Sequence, residues 1–161
     1  MLLSPHMQMA ISIAVGGLFL IGAAIAQDLT VKKSLNLAVA KKIAAAAEAE
    51  ARKNNWNVVI TVLDDGANII YLQRMDGTQI GSVDVAIAKA ASAVKFKRPT
   101  KVFEEAVKGG RNAILKLPGA LPVEGGEPIM FDGVLIGAVG VSGVQSNEDG
   151  IVARAGVAVV K

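Results

Sequence analysis

Two acidic turns govern what this chain can fold into. Asp64-Asp65-Gly66 and Asp132-Gly133 each separate runs of β-branched and apolar residues: Trp56 to Leu63 before Ile69 to Arg74, and Pro128 to Phe131 before Val134 to Ser142. Asp and Gly accept the positive φ angles that tight hairpin loops require, so both places predict β-hairpins. Strands joined so closely pair antiparallel, which excludes the parallel sheet of a nucleotide-binding fold. Helical signals fill the intervals. The run LAVAKKIAAAAEAEARK, ending at Lys53, is rich in strong helix formers, with Asn36 placed to cap it and Leu37, Ile43, Ala44 and Ala47 roughly on one face. From Ser82 to about Val94, capped by Ser82 or Gly81, Val83, Ile87, Ala90 and Val94 recur at helical spacing. Pro99 stops regular structure, Thr100 stands where it would cap a short helix over Val102 to Val107, and Gly109-Gly110 end that helix. The stretch from Arg111 to Glu127, with two prolines and Gly125-Gly126, predicts a long loop of the kind that binds something or moves. A last helix is expected from Asn147 or Glu148 to Val160. The fold class that follows is α+β, a single compact domain whose antiparallel sheet of about four to five strands is flanked by helices.

Residues 1–26 read differently from the rest. Ala10 to Ala26 are apolar or small, broken only by Ser12, and end in Ala24-Ile25-Ala26, a small-x-small pattern that a signal peptidase accepts. A signal peptide over residues 1–26, cut before Gln27, is the expectation, with the folded domain over residues 27–161 and a periplasmic or extracellular location. The rival is an uncleaved membrane anchor, since no Lys or Arg precedes Lys32. Cleavage would remove His6, the single histidine of the chain, and cysteine is absent throughout. A mature domain without imidazole or thiol excludes Ser-His-Asp and Cys-His catalysis, structural zinc, iron–sulfur clusters, disulfides and histidine-ligated haem, and no metal site is expected. The net charge of +3 is spread evenly, and one Trp and one Tyr make no base-stacking platform, so nucleic acid is not an expected partner.

The candidate binding residues fall in three places. Lys95, Phe96, Lys97, Arg98, Pro99, Thr100 and Lys101 hold four cations in seven residues just before a helix N-terminus, a composition suited to carboxylates or equally to a solvated basic helix end. Arg74, Met75, Asp76 and Gly77 end a strand, where Arg would clamp an acid and Met would lie against a ring; the plain alternative is a surface Arg–Asp pair and a core Met. Gly125-Gly126 before Pro128 would let backbone amides approach a ligand, or simply turn the chain into a strand. One cleft between the Met75 turn and the Thr100 turn would gather these groups. In an enzyme without histidine, Asp76 or Glu127 would be the base. Glu148 and Asp149 at the start of the last helix suit dipole compensation better than chemistry.

Taken in order, these segments resemble one family. Val62-Leu63-Asp64-Asp65-Gly66-Ala67-Asn68-Ile69-Ile70, Arg74-Met75-Asp76-Gly77, Ala88-Lys89-Ala90, Arg98-Pro99-Thr100, Gly125-Gly126-Glu127-Pro128-Ile129, Ile136-Gly137-Ala138-Val139-Gly140-Val141-Ser142-Gly143 and Ala153-Arg154-Ala155-Gly156 make a pattern similar to the GlcG/HbpS haem-binding-protein family, related to the C-terminal domain of PduO-type corrinoid adenosyltransferases. The resemblance implies a profilin-like helix–sheet–helix domain, assembly into homo-oligomers, and haem as a possible cofactor. The histidine ligation known in some relatives does not carry over to a domain without imidazole. Ligation by an oxygen, by the Met75 thioether, or none, stays open. Three functions are therefore expected in competition: an exported binder of haem or a related tetrapyrrole using a cationic cleft; a histidine-free enzyme acting on a small organic acid or aromatic compound; and a structural assembly protein whose Ala-rich first helix mediates contacts between copies.

Overall fold

The computed structural model describes residues 30–160. The chain divides into two units, Met1–Lys33 and Ser34–Lys161, and the second carries the fold. The expected signal peptide lies outside the described residues, and among the described residues no helix is long and apolar enough to cross a membrane. The elements run α1 (Leu37–Lys53), β1 (Val59–Asp64), β2 (Ile69–Arg74), α2 (Ser82–Phe96), α3 (Lys101–Lys108), a 3-10 turn (Asn112–Lys116), β3 (Gly126–Phe131), β4 (Val134–Ser142) and α4 (Ser146–Val157).

Both hairpins form where the acidic turns predict them. Asp64 Oδ1 accepts hydrogen bonds from the backbone amides of Gly66 and Asn68 at 2.9 and 2.8 Å, while Asp132 and Gly133 both take positive φ, at 49° and 76°. The sheet order is β2-β1-β4-β3, antiparallel throughout. Strand β1 is central and buried on both faces. Val58, Ile60 and Val62 face a core shared with α1 and α4, whereas Leu63 joins Ala138 beneath Ala90, Ala93 and Val94 of α2. Helices on both faces of a four-stranded antiparallel sheet make the α+β, helix–sheet–helix domain.

The helices differ from expectation in which faces they bury. Asn36 does cap α1, its Oδ1 accepting from the Val39 amide at 2.9 Å. Leu37, however, is 49% exposed; Leu35 before the cap fills that place in the core, beside Ala40, the arrangement of a hydrophobic staple. On α2 the buried row is Ala86, Lys89, Ala90 and Ala93, not Val83 and Ile87, which are half-buried. The reason is the strand below. A Cβ on Gly140 would stand 1.9 Å from the carbonyl oxygen of Ala86, so the helix backbone rests directly on β4 at Ala86 and Ala90, where only small side chains fit the seam.

Three boundaries also shift. The expected loop over residues 111–127 contains the 3-10 turn and ends in β3, which starts at Gly126 rather than Pro128. Helix α4 begins at Ser146, closed by a capping box in which Gln145 and Glu148 exchange side-chain-to-backbone bonds. Thr100 makes no side-chain cap for α3. Its hydroxyl is turned inward to the sheet instead.

Candidate functional site

Lys97 ends α2 in the left-handed conformation (φ 51°) and reverses the chain. The reversal carries Arg98 back over the start of α3. The guanidinium carbon lies 5.8 Å from the centroid of the Phe103 ring, and Arg98 Nε donates to the Phe96 carbonyl at 3.1 Å. Phe96 and Phe103 meet edge-to-face, centroids 5.1 Å apart at 78°. With Val102, Arg111, Ile114 and Leu117 they line a groove of about 190 Å³. Phe103 is 5% exposed, while Arg98 and Arg111 stand in solvent at the rim. An aromatic floor with two guanidinium groups suits an unsaturated ring carrying acid groups.

Thr100, Gly125, Gly126 and Glu127 sit one layer deeper. Thr100, fully buried, exchanges two bonds with Gly126: its amide donates to the Gly126 carbonyl and its hydroxyl accepts from the Gly126 amide, both at 2.9 Å. The Gly126 amide expected to meet a ligand is thus bound to protein. Both glycines are required by crowding. A Cβ on Gly125, whose φ is +126°, would stand 2.8 Å from Lys89 Nζ, and one on Gly126 would stand 2.3 Å from the Lys89 carbonyl oxygen.

Beneath this loop Lys89 and Asp149, 1% and 2% exposed, form a salt bridge of 2.7 Å. Asp149 also accepts from the Val144 amide at 3.2 Å. Burial pushes the Asp149 carboxyl above its ordinary value, and the Lys89 ammonium opposes that shift only in part. Asp149 therefore does more than compensate a helix dipole. It is the counter-ion of a lysine sixty positions earlier. Alongside, Arg154 bridges Glu124 at 2.8 Å and Glu127 at 3.2 Å. Burial raises the Glu127 carboxyl, against the pull of Arg154.

Arg74, Met75 and Asp76 lie elsewhere. Met75 is 8% exposed and belongs to the core, while Arg74 and Asp76 are exposed on the turn after β2. The hollow that Met75 lines is shared with Trp56, not with Arg98. Helix α2 runs between the Met75 turn and Phe96, and its 15 residues span about 22 Å. Among the described residues, the hollow lined by Met75 and the groove lined by Arg98 share no residue. Lys95 lies along Gly119, its Cδ 3.3 Å from where a Cβ would stand there.

Phe103, Arg111, Lys89 and Arg154 were not singled out from sequence as site residues. Lys89 did carry a signal: a cation three positions after Ala86 and next to Ala90, inside the most alanine-rich face of α2, must bring a counter-ion with it.

Residues 35–158 match the family model described as "Haem degrading protein HbpS-like". The chain is 43% identical over 111 residues to protein GlcG of Escherichia coli K12, covering 69% of this chain and 83% of that one. Among solved structures, a double mutant of Streptomyces reticuli HbpS superimposes with a TM-score of 0.75 at 32% identity, covering 83% of this chain and 92% of that chain. A PduOC:heme complex gives 0.73 at 26% identity, covering 80% and 96%.

Proposed function

The chain belongs to the HbpS-like family, and from that premise we propose that it is an exported binder of haem or a related tetrapyrrole, held in the groove between α2 and α3. The observation that carries this reading is the pairing of the Phe96–Phe103 floor with Arg98 and Arg111 at the rim. Phe96 and Phe103 would lie against the ring, and the two guanidinium groups would meet the propionates. The fit is to the organic part of the group. A groove of about 190 Å³ is smaller than the roughly 300–1,000 Å³ of a pocket that encloses a drug-sized ligand, so it takes one edge of a macrocycle.

Haem, when bound, supplies a redox-active iron; the protein's part is to grip the ring. The described residues contain no His or Cys, the Met75 thioether is buried at the other end of α2, and the Thr100 hydroxyl is committed to Gly126. Binding without a side-chain ligand makes the iron dispensable. Hemin and metal-free protoporphyrin are therefore expected to bind the chain from Gln27 onward with affinities within about tenfold of each other. Absence of any Soret shift at micromolar protein would sink the reading, as would hemin binding that metal-free porphyrin cannot imitate. Export belongs to the same proposal, and protein recovered from its source is expected to begin at Gln27 by N-terminal sequencing. Homo-oligomeric assembly is the remaining part, checked by mass measurement in solution.

A second reading, a histidine-free enzyme acting on a small organic acid or aromatic compound, has one supporting observation. Burial moves the Glu127 carboxyl upward, in the direction a general base requires. Turnover that survives removal of metal and haem but is lost in Glu127→Gln would favour it. Asp76, exposed on its turn, has no such support.

A further inference from the structure

The corner where α1 passes into β1 holds a hollow with a different chemistry. It has a volume of about 360 Å³ and is lined by Arg52, Asn55, Trp56, Asn57 and Met75. A second hollow of about 320 Å³ shares Asn55 and Asn57 and continues past Gly77 and Gln79. The platform is rigid. The backbone amides of Asn54 and Trp56 both donate to the Ala51 carbonyl, and that of Asn55 donates to Arg52. Asn55 is held at φ 59°, and the Asn57 amide nitrogen packs against the turn at Gly77, 3.1 Å from where a Cβ would stand there, a turn whose φ of +81° favours glycine. Asn55 and Asn57 are exposed and Trp56 is half-buried, and neither their side-chain amides nor the indole N–H has a protein partner among the described residues.

The charge here is cancelled within the protein. Arg52 contacts Glu48 Oε1 through Nε at 2.7 Å and Nη2 at 2.6 Å, and Gln73 Nε2 donates to Glu48 Oε2 at 2.8 Å. Those bonds, that of Gln73 foremost, hold the Glu48 carboxyl below its ordinary value and therefore ionised. No other charged side chain lines the hollow, so it has little to offer an anion such as a propionate. What it offers is a half-buried indole, a thioether and two free amides, each amide both donor and acceptor. A ligand that matches has one apolar ring face and hydroxyls around its edge.

We propose that this corner is a second binding site, for a neutral hydroxyl-rich ring of the pyranose class, stacked on Trp56 and read by the amides of Asn55 and Asn57. It is independent of the groove at the other end of α2. Trp56 is the only tryptophan of the chain, so its emission reports on the site directly. Titration of the full chain with glucose, galactose, N-acetylglucosamine and maltose, against matched glycerol, is expected to give a saturable emission change with at least one sugar. Half-saturation is expected at about 0.1–10 mM, the range of a small ligand with few contacts. Asn57→Ala and Asn55→Gly, the second suited to the positive φ it inherits, are each expected to weaken that sugar by about tenfold with the circular dichroism spectrum unchanged. Emission that follows glycerol and every sugar alike, or half-saturation unmoved in both folded variants, overturns the proposal.

Discussion

Replacing Lys89 with methionine keeps most of the stem of a side chain that is 1% exposed, but removes the ammonium that stands 2.7 Å from Asp149 Oδ2. Asp149 is then left with the backbone amides of Val144 and Gly143 and no counter-ion. Breaking a buried pair from one side typically costs about 3–5 kcal/mol. Here a ceiling can be worked out, because Asp149 can take a proton instead. From its ordinary value of 3.8, protonation at pH 7 costs about 4.4 kcal/mol at about 1.36 kcal/mol per pH unit. A loss of about 3–4 kcal/mol at pH 7 is therefore expected. The sign of its pH dependence follows from proton binding. A carboxyl whose folded value lies above its unfolded value binds the proton preferentially in the folded state, so stability falls as pH rises between the two. Wild type shares that trend only up to its own, less raised, value; above it the variant goes on losing. Urea unfolding followed by circular dichroism, at several pH values between about 5 and 8, should show the gap narrowing by up to about 1.36 kcal/mol per unit as pH falls. Lys89→Met combined with Asp149→Leu, which removes both charges, should recover most of the loss. A loss independent of pH, or a double variant as unstable as the single one, would refute the account of the pair.

Gly140→Ala should destabilise by at least about 3 kcal/mol, because its methyl meets backbone 1.9 Å away and no rotamer relieves it; a melting temperature within a few degrees of wild type would contradict the seam. Arg98→Ala should weaken hemin binding about tenfold while moving folding stability by no more than about 0.5 kcal/mol, since the guanidinium is exposed at the rim; equal losses in both would remove Arg98 from the groove's function. Glu127→Gln should gain on wild type as pH rises from 4.5 through the raised value of Glu127, because burial disfavours only the charged form; a stability difference that stays flat with pH in urea titrations would show that Arg154 cancels the burial.

Local chemistry made much of the architecture legible. Asp64 and Asp132 marked both hairpins because an acidic residue and glycine satisfy a tight turn within a few residues. Asn36 marked its helix for the same reason. What escaped depended on contacts between distant segments. Thr100 has the sequence position of a cap, yet its hydroxyl is drawn to Gly126 in the first residue of a strand. Periodicity places Ala90 and Val94 correctly on the buried side of α2 but not Val83 and Ile87, because the close approach of the helix to Gly140 on β4 turns Ala86 and Ala90 to the strand. The candidate site shows the same division. Phe96 and Arg98 lie side by side in the groove, but Phe103 and Arg111 join them only through the reversal at Lys97. Met75, expected to share a cleft with the cationic cluster, lines a separate hollow with Trp56.

The glycine seam also divides the groove into parts of unequal stiffness. Helix α2 lies with its main chain on β4 at Ala86 and Ala90, and the same helix carries Phe96 into the groove at its C-terminal end. Helix α3 sends only Phe103 into the interior. One wall of the groove is therefore set by main chain resting on main chain, and the other by a single buried ring and the polar bonds of Lys101 and Glu104 to Glu124.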